Sequence, residues 1–78
     1  MTIILKDRST IVLSQEEMNN PDFQKGLLVA QEKGLRPDNV ELDSFTLAAW
    51  IGYNAGLGEN TLKTEEEIRR ALAVASPA

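Results

Sequence analysis

Residues 45–56, Phe-Thr-Leu-Ala-Ala-Trp-Ile-Gly-Tyr-Asn-Ala-Gly, run for three helical turns without a single charge. On a wheel of 3.6 residues per turn, Leu47, Ala48, Ile51 and Ala55 share one side. Phe45, Ala49, Gly52 and Gly56 lie beside them as a seam of mostly small side chains, against which a second helix can approach closely. Thr46, Trp50, Tyr53 and Asn54 occupy the far side. A helix that is apolar nearly all round has to be enclosed. The chain has 78 residues in which to do so, enough for one domain spanning 1–78.

The enclosing elements can be read on either side. Thr2-Ile3-Ile4-Leu5 and Thr10-Ile11-Val12-Leu13 are β-branched and apolar, and Asp7-Arg8-Ser9 between them favours a turn. They predict a β-hairpin with a loop of three to five residues, since the Asn-Gly or Asp-Gly of a two-residue turn is absent. The apolar residues run together without alternating, so both faces of the ribbon are expected to need cover. Ser14-Gln15-Glu16-Glu17 is a capping box that starts a helical turn. Pro21 stops it, and Asn20 as cap with Pro21 in the first turn begins a new helix. Phe23, Leu27 and Ala30 form its core stripe, with Leu28 and Val29 beside them. Gly34 ends it, and Leu35 takes the apolar contact that follows such an end.

Asp43 or Ser44 is expected to cap the central helix, which stops at Gly56-Leu57-Gly58. The last helix opens on Thr64-Glu65-Glu66-Glu67, acids suited to a helix N-terminus. Its core stripe is Ile68, Ala71, Leu72 and Ala75, and Glu65/Arg69 and Glu66/Arg70 are spaced as i,i+4 pairs. The fold class is therefore α+β: an N-terminal β-hairpin packed against three short α-helices, in the order β-β-α-α-α.

The chain contains neither histidine nor cysteine. That removes the usual general base, the usual thiol nucleophile, the disulfide and the ordinary structural zinc site. Gly56-Leu57-Gly58-Glu59-Asn60 matches no phosphate-binding glycine loop, and Asp38, Asn39, Glu41 and Asp43 lack the spacing of a calcium loop. No catalytic residue, metal ligand or cofactor site is expected, and the reading is not an enzyme. No run approaches the ~20 apolar residues of a membrane span, nor does a secretory signal open the chain. With the absence of cysteine this leads to a cytoplasmic expectation.

The net charge is −4, with a sequence pI near 4.6. Residues 40–78 hold six acids and three bases, a poor match for phosphates. Ala48 and Gly52 resemble the small residue and turn glycine of a helix-turn-helix, but the next strong helix is headed by three glutamates. A small DNA-binding regulator of that kind is therefore the weaker alternative, and a structural subunit of a larger assembly is another. The leading expectation is a non-catalytic interaction module: a small regulator, adaptor or inhibitor that docks on a larger protein. Thr46, Trp50, Tyr53 and Asn54 are its candidate partner-binding residues, because aromatic side chains with polar tips are enriched at binding hot spots. The competing position for Trp50 and Tyr53 is the core, where large aromatics contribute most of the burial. The open edges of the hairpin add a second expectation, pairing with a partner strand or with a second copy as a homodimer.

Overall fold

The computed structural model describes residues 1–34 and 44–74. Two strands, β1 (Thr2–Ile4) and β2 (Thr10–Val12), are followed by four helices: α1 (Gln15–Met18), α2 (Pro21–Lys33), α3 (Leu47–Leu57) and α4 (Glu65–Val74). The architecture is the expected α+β hairpin with helices, α1 being the single turn begun by Ser14. Leu35, Asp43 and Ala75, which the sequence assigned to a helix end, a cap and a core stripe, lie outside the described residues.

The hairpin is antiparallel, with Thr2 opposite Val12, Ile3 opposite Ile11 and Ile4 opposite Thr10. Lys6-Asp7-Arg8 is a three-residue loop, closed by bonds from the Leu5 N–H to the Ser9 carbonyl (2.7 Å) and from the Arg8 N–H to the Leu5 carbonyl (2.8 Å). Arg8 takes the left-handed position, φ 73°, that such a loop normally gives to glycine. The Asp7 carboxylate holds the far side by accepting from the Ser9 N–H and hydroxyl. Contrary to the sequence expectation, only one face of the ribbon is covered. Ile3, Leu5 and Leu13 are buried in the core while Val12 is 67% exposed. The pleat alternates even where the composition does not.

Ser14 and Glu17 form both arms of the predicted box. The Glu17 N–H donates to the Ser14 hydroxyl (3.2 Å), and the Ser14 N–H donates to the Glu17 carboxylate (2.8 Å). The same carboxylate receives Arg69 of α4 at 2.5 Å. Arg69 also pairs with Glu65 (3.3 Å), as the i,i+4 spacing predicts, and donates to the Val12 carbonyl. One guanidinium thus ties α4 to α1 and to the end of β2. Burial alone would push the Glu17 carboxyl up, but the Ser14 hydrogen bonds and the Arg69 charge outweigh it and leave the group below its ordinary 4.5. A depressed folded-state value means that the stabilisation is present above the ordinary range and is lost as pH falls through the lower value. Acid melts should show this: Glu17→Gln lowers the Tm at pH 7, and the two proteins converge as the medium falls to about pH 3.

α2 and α3 make the central layer. A Cβ on Gly26 would overlap the Ala49 carbonyl oxygen and stand 2.8 Å from the Tyr53 nitrogen. One on Gly52 would overlap the Phe23 carbonyl oxygen and stand 2.9 Å from its carbon. The two backbones therefore touch along the small-residue seam that the sequence placed on α3, and Gly26 answers it from α2. Phe23, Ile51 and Ile68 are fully enclosed beneath, with Ile3, Leu5, Leu13, Ala48 and Leu72 completing the main core. A second cluster, Val29, Ala30 and Tyr53 with Phe45, Trp50 and Leu57 against it, fills the other end of the α2–α3 pair.

The start of α3 differs from expectation. Its cap is Thr46, whose hydroxyl accepts from the Ala49 N–H at 3.2 Å, while Ser44 lies upstream of the helix. Gly58, φ 72°, closes the far end, with the Glu59 N–H returning to the Asn54 carbonyl at 2.9 Å.

Candidate functional site

The four residues singled out on the far side of α3 do not form an open surface. Tyr53 and Asn54 are buried, at 6% and 8% exposure. The Tyr53 ring packs against Phe45 and Trp50 at centroid separations of 5.8 and 6.2 Å, and its hydroxyl donates to the Gly34 carbonyl at 2.7 Å. Burial raises its phenol above 10.0. The Asn54 amide donates to the Trp50 carbonyl within the helix. Trp50 is half-buried on the same cluster, and Thr46 is exposed as the cap. Of the two positions the sequence allowed Tyr53, it takes the interior, because the end of α2 and Phe45 cover that side of α3.

The hairpin edges are also less open than the sequence implied. The free side of β1 is taken by the chain itself. Ile4 bridges Asn60, the Thr61 N–H and hydroxyl both donate to the Ile4 carbonyl, and the Lys6 N–H donates to the Lys63 carbonyl. The alternation of the ladder turns the main-chain groups of Thr10 and Val12 outward on β2, but the Val12 carbonyl accepts from Arg69. β2 therefore presents a three-residue edge bounded by the Arg8 turn and the Arg69 guanidinium.

Among the described residues, a groove of about 490 Å³ lies where the starts of α2 and α3 meet α4. Leu47, Ala48 and Ala71 supply its apolar wall, and Asp22, Thr46, Glu67 and Arg70 its rim. Leu47 follows the Thr46 cap directly and is 42% exposed, although the helical wheel placed it with Ile51 on the buried side. Ala48 and Ala49 of the same turn are buried, so Leu47 is the side chain of that turn that its neighbours cover only in part. The Asp22 carboxylate accepts from the Thr46 hydroxyl at 3.1 Å and Glu67 from the Thr64 hydroxyl at 3.2 Å. Both threonines are helix caps, so the carboxylates are held in place by main-chain geometry.

Comparison with protein-family models, with curated proteins and with solved structures finds no match.

The Thr46 hydroxyl beside the Asp22 carboxylate also accepts from the Ala49 N–H, so it serves as the α3 cap while donating to Asp22. Among the described residues no three carboxylates converge as a metal cluster would require, and no helix is long and apolar enough to cross a membrane. Sequence reasoning missed the groove because it combines residues from three helices. The available signal was Leu47 itself, a large apolar residue directly after a threonine that can cap.

Proposed function

We propose that this chain is a non-catalytic interaction module, a small cytoplasmic regulator, adaptor or inhibitor that docks on a larger protein through the α2–α3–α4 groove. The observation that carries the reading is Leu47: a large aliphatic side chain, 42% exposed, beside Ala48 and Ala71 and framed by charged residues. Apolar contact inside a polar rim is the usual anatomy of a protein interface. The exposed Glu65, Glu66 and Glu67 at the start of α4 would repel phosphates, so the nucleic-acid alternative has the less suitable surface.

Affinity capture from the native cell with three baits tests this. Leu47→Ser should lose a protein that the wild type retains, while Val12→Ser, on the uncovered sheet face, should retain it. Both variants should keep the wild-type melting curve within a few degrees. If Leu47→Ser captures the same proteins as the wild type, the groove is not the docking surface.

A further inference from the structure

We propose that the segment seated in this groove is a basic amphipathic helix of the partner, its aliphatic face on Leu47 and Ala71 and its Lys or Arg side chains on Asp22 and Glu67. The inference rests on the docking reading above and names its occupant.

Charge sets the sign. Arg70 on the rim is already paired with Glu66 at 2.7 Å, so that couple is balanced. Asp22 and Glu67 are not: among the described residues neither has a salt bridge, and each accepts only from a threonine hydroxyl. The groove lining therefore carries two carboxylates held by threonine hydroxyls and one cation already engaged by Glu66. A cationic side chain brought to either carboxylate gains attraction, whereas an acidic one is repelled. Lysine and arginine also suit the geometry because their methylene stems can lie along Leu47 and Ala71 before the charged head reaches the rim.

Backbone chemistry selects a helix over an extended strand. An extended peptide leaves half of its N–H and C=O groups to be satisfied by the receptor, which is why strand-binding sites are sheet edges. The groove is walled by residues of helices, and the sheet edges lie elsewhere, occupied by residues 60–63 on β1 and narrowed by Arg69 on β2. A helical segment satisfies its own backbone and needs from the groove only an apolar wall and charge. Anchors at i, i+3 and i+4 would run along it.

Two synthetic helices of about 18 residues, five turns each, supply the probes. One carries leucine on one face and lysine on the other; the second keeps the leucines and replaces lysine by glutamate. Titrated into the ¹⁵N-labelled full chain, the Leu/Lys helix should bind saturably and shift the amide signals of residues 46–48 and 67–71. The Leu/Glu helix should not bind. The double variant Asp22→Asn, Glu67→Gln should weaken the Leu/Lys helix at least tenfold and flatten its salt dependence. Leu47→Ser should weaken it at least tenfold with the salt dependence retained. Equal binding of both helices, unchanged affinity in the double variant, or shifts centred on the Val12 face would overturn the proposal. Failure here, with capture by the native cell still lost in Leu47→Ser, removes the basic helix and leaves the docking reading standing.

Discussion

Gly52→Ala should abolish the cooperative unfolding transition at 25 °C or lower the Tm by tens of degrees, one of the two largest effects expected of any single methyl group in this chain. The new Cβ would overlap the Phe23 carbonyl oxygen and stand 2.9 and 3.1 Å from its carbonyl carbon and Cα. All three are backbone atoms in the first turn of α2, so no side-chain rotation relieves the clash. Relief requires α2 and α3 to move apart, and Phe23, Ile51 and Ala49 then lose contact together. Overpacking a core costs typically about 1–3 kcal/mol and more when the backbone is the obstacle, against about 1 kcal/mol that alanine gains over glycine in a helix. A core of this size supplies only about 3–5 kcal/mol in all, so a cost at or beyond the top of the overpacking range leaves little of it. Gly26→Ala should behave alike, since its Cβ would overlap the Ala49 carbonyl oxygen. Gly56→Ala is the graded control: its Cβ would meet side chains, Ala30 at 2.8 Å and Leu27 at 3.0 Å, and the loss should be smaller. Thermal melts followed by circular dichroism decide the matter. A Gly52→Ala protein within 1 kcal/mol of wild type would mean that the helices do not touch as described.

That seam was legible in the sequence because a run of small residues on one helical face is a local pattern. So were the caps: Ser14 with Glu17, Asn20 with Pro21, Thr64 with Glu67, and the Gly34 and Gly58 ends each depend on residues a few positions apart. What could not be read is which side of an all-apolar helix meets a neighbour, since hydrophobic periodicity carries no direction when every face is apolar. Tyr53 and Asn54 went inside and Leu47 outside for that reason. The same limit applied to the groove. Asp22, Leu47 and Glu67 are 25 and 20 residues apart in sequence; only the packed helices bring them together. Arg69 was legible as a partner of Glu65 one turn back and illegible as the partner of Glu17, because nothing local records a contact across the chain.

Asn20 extends this point to energetics, and its substitution should have the largest effect after the two seam glycines. Its side-chain oxygen caps α2, accepting from the N–H groups of Asp22 (2.9 Å) and Phe23 (3.1 Å). Its amide nitrogen donates to the Leu72 carbonyl at 2.7 Å, in the last turn of α4 and beyond reach of any N–H within that helix. One buried side chain, 5% exposed, therefore completes the start of one helix and the end of another. Asn20→Ala removes the cap, at about 1 kcal/mol, and removes the one donor to the Leu72 carbonyl found among the described residues, at about 1–3 kcal/mol. The Tm should fall by roughly 10–25 °C in a domain of this size. Asn20→Asp separates the two roles. The carboxylate keeps the cap and suits the helix N-terminus, but it faces the Leu72 carbonyl with an acceptor where a donor stood. At pH 7 this variant should therefore remain well below wild type despite the better cap. Melts of both variants at pH 7 decide it: an Asn20→Asp protein as stable as wild type would show that Asn20 acts on α2 alone.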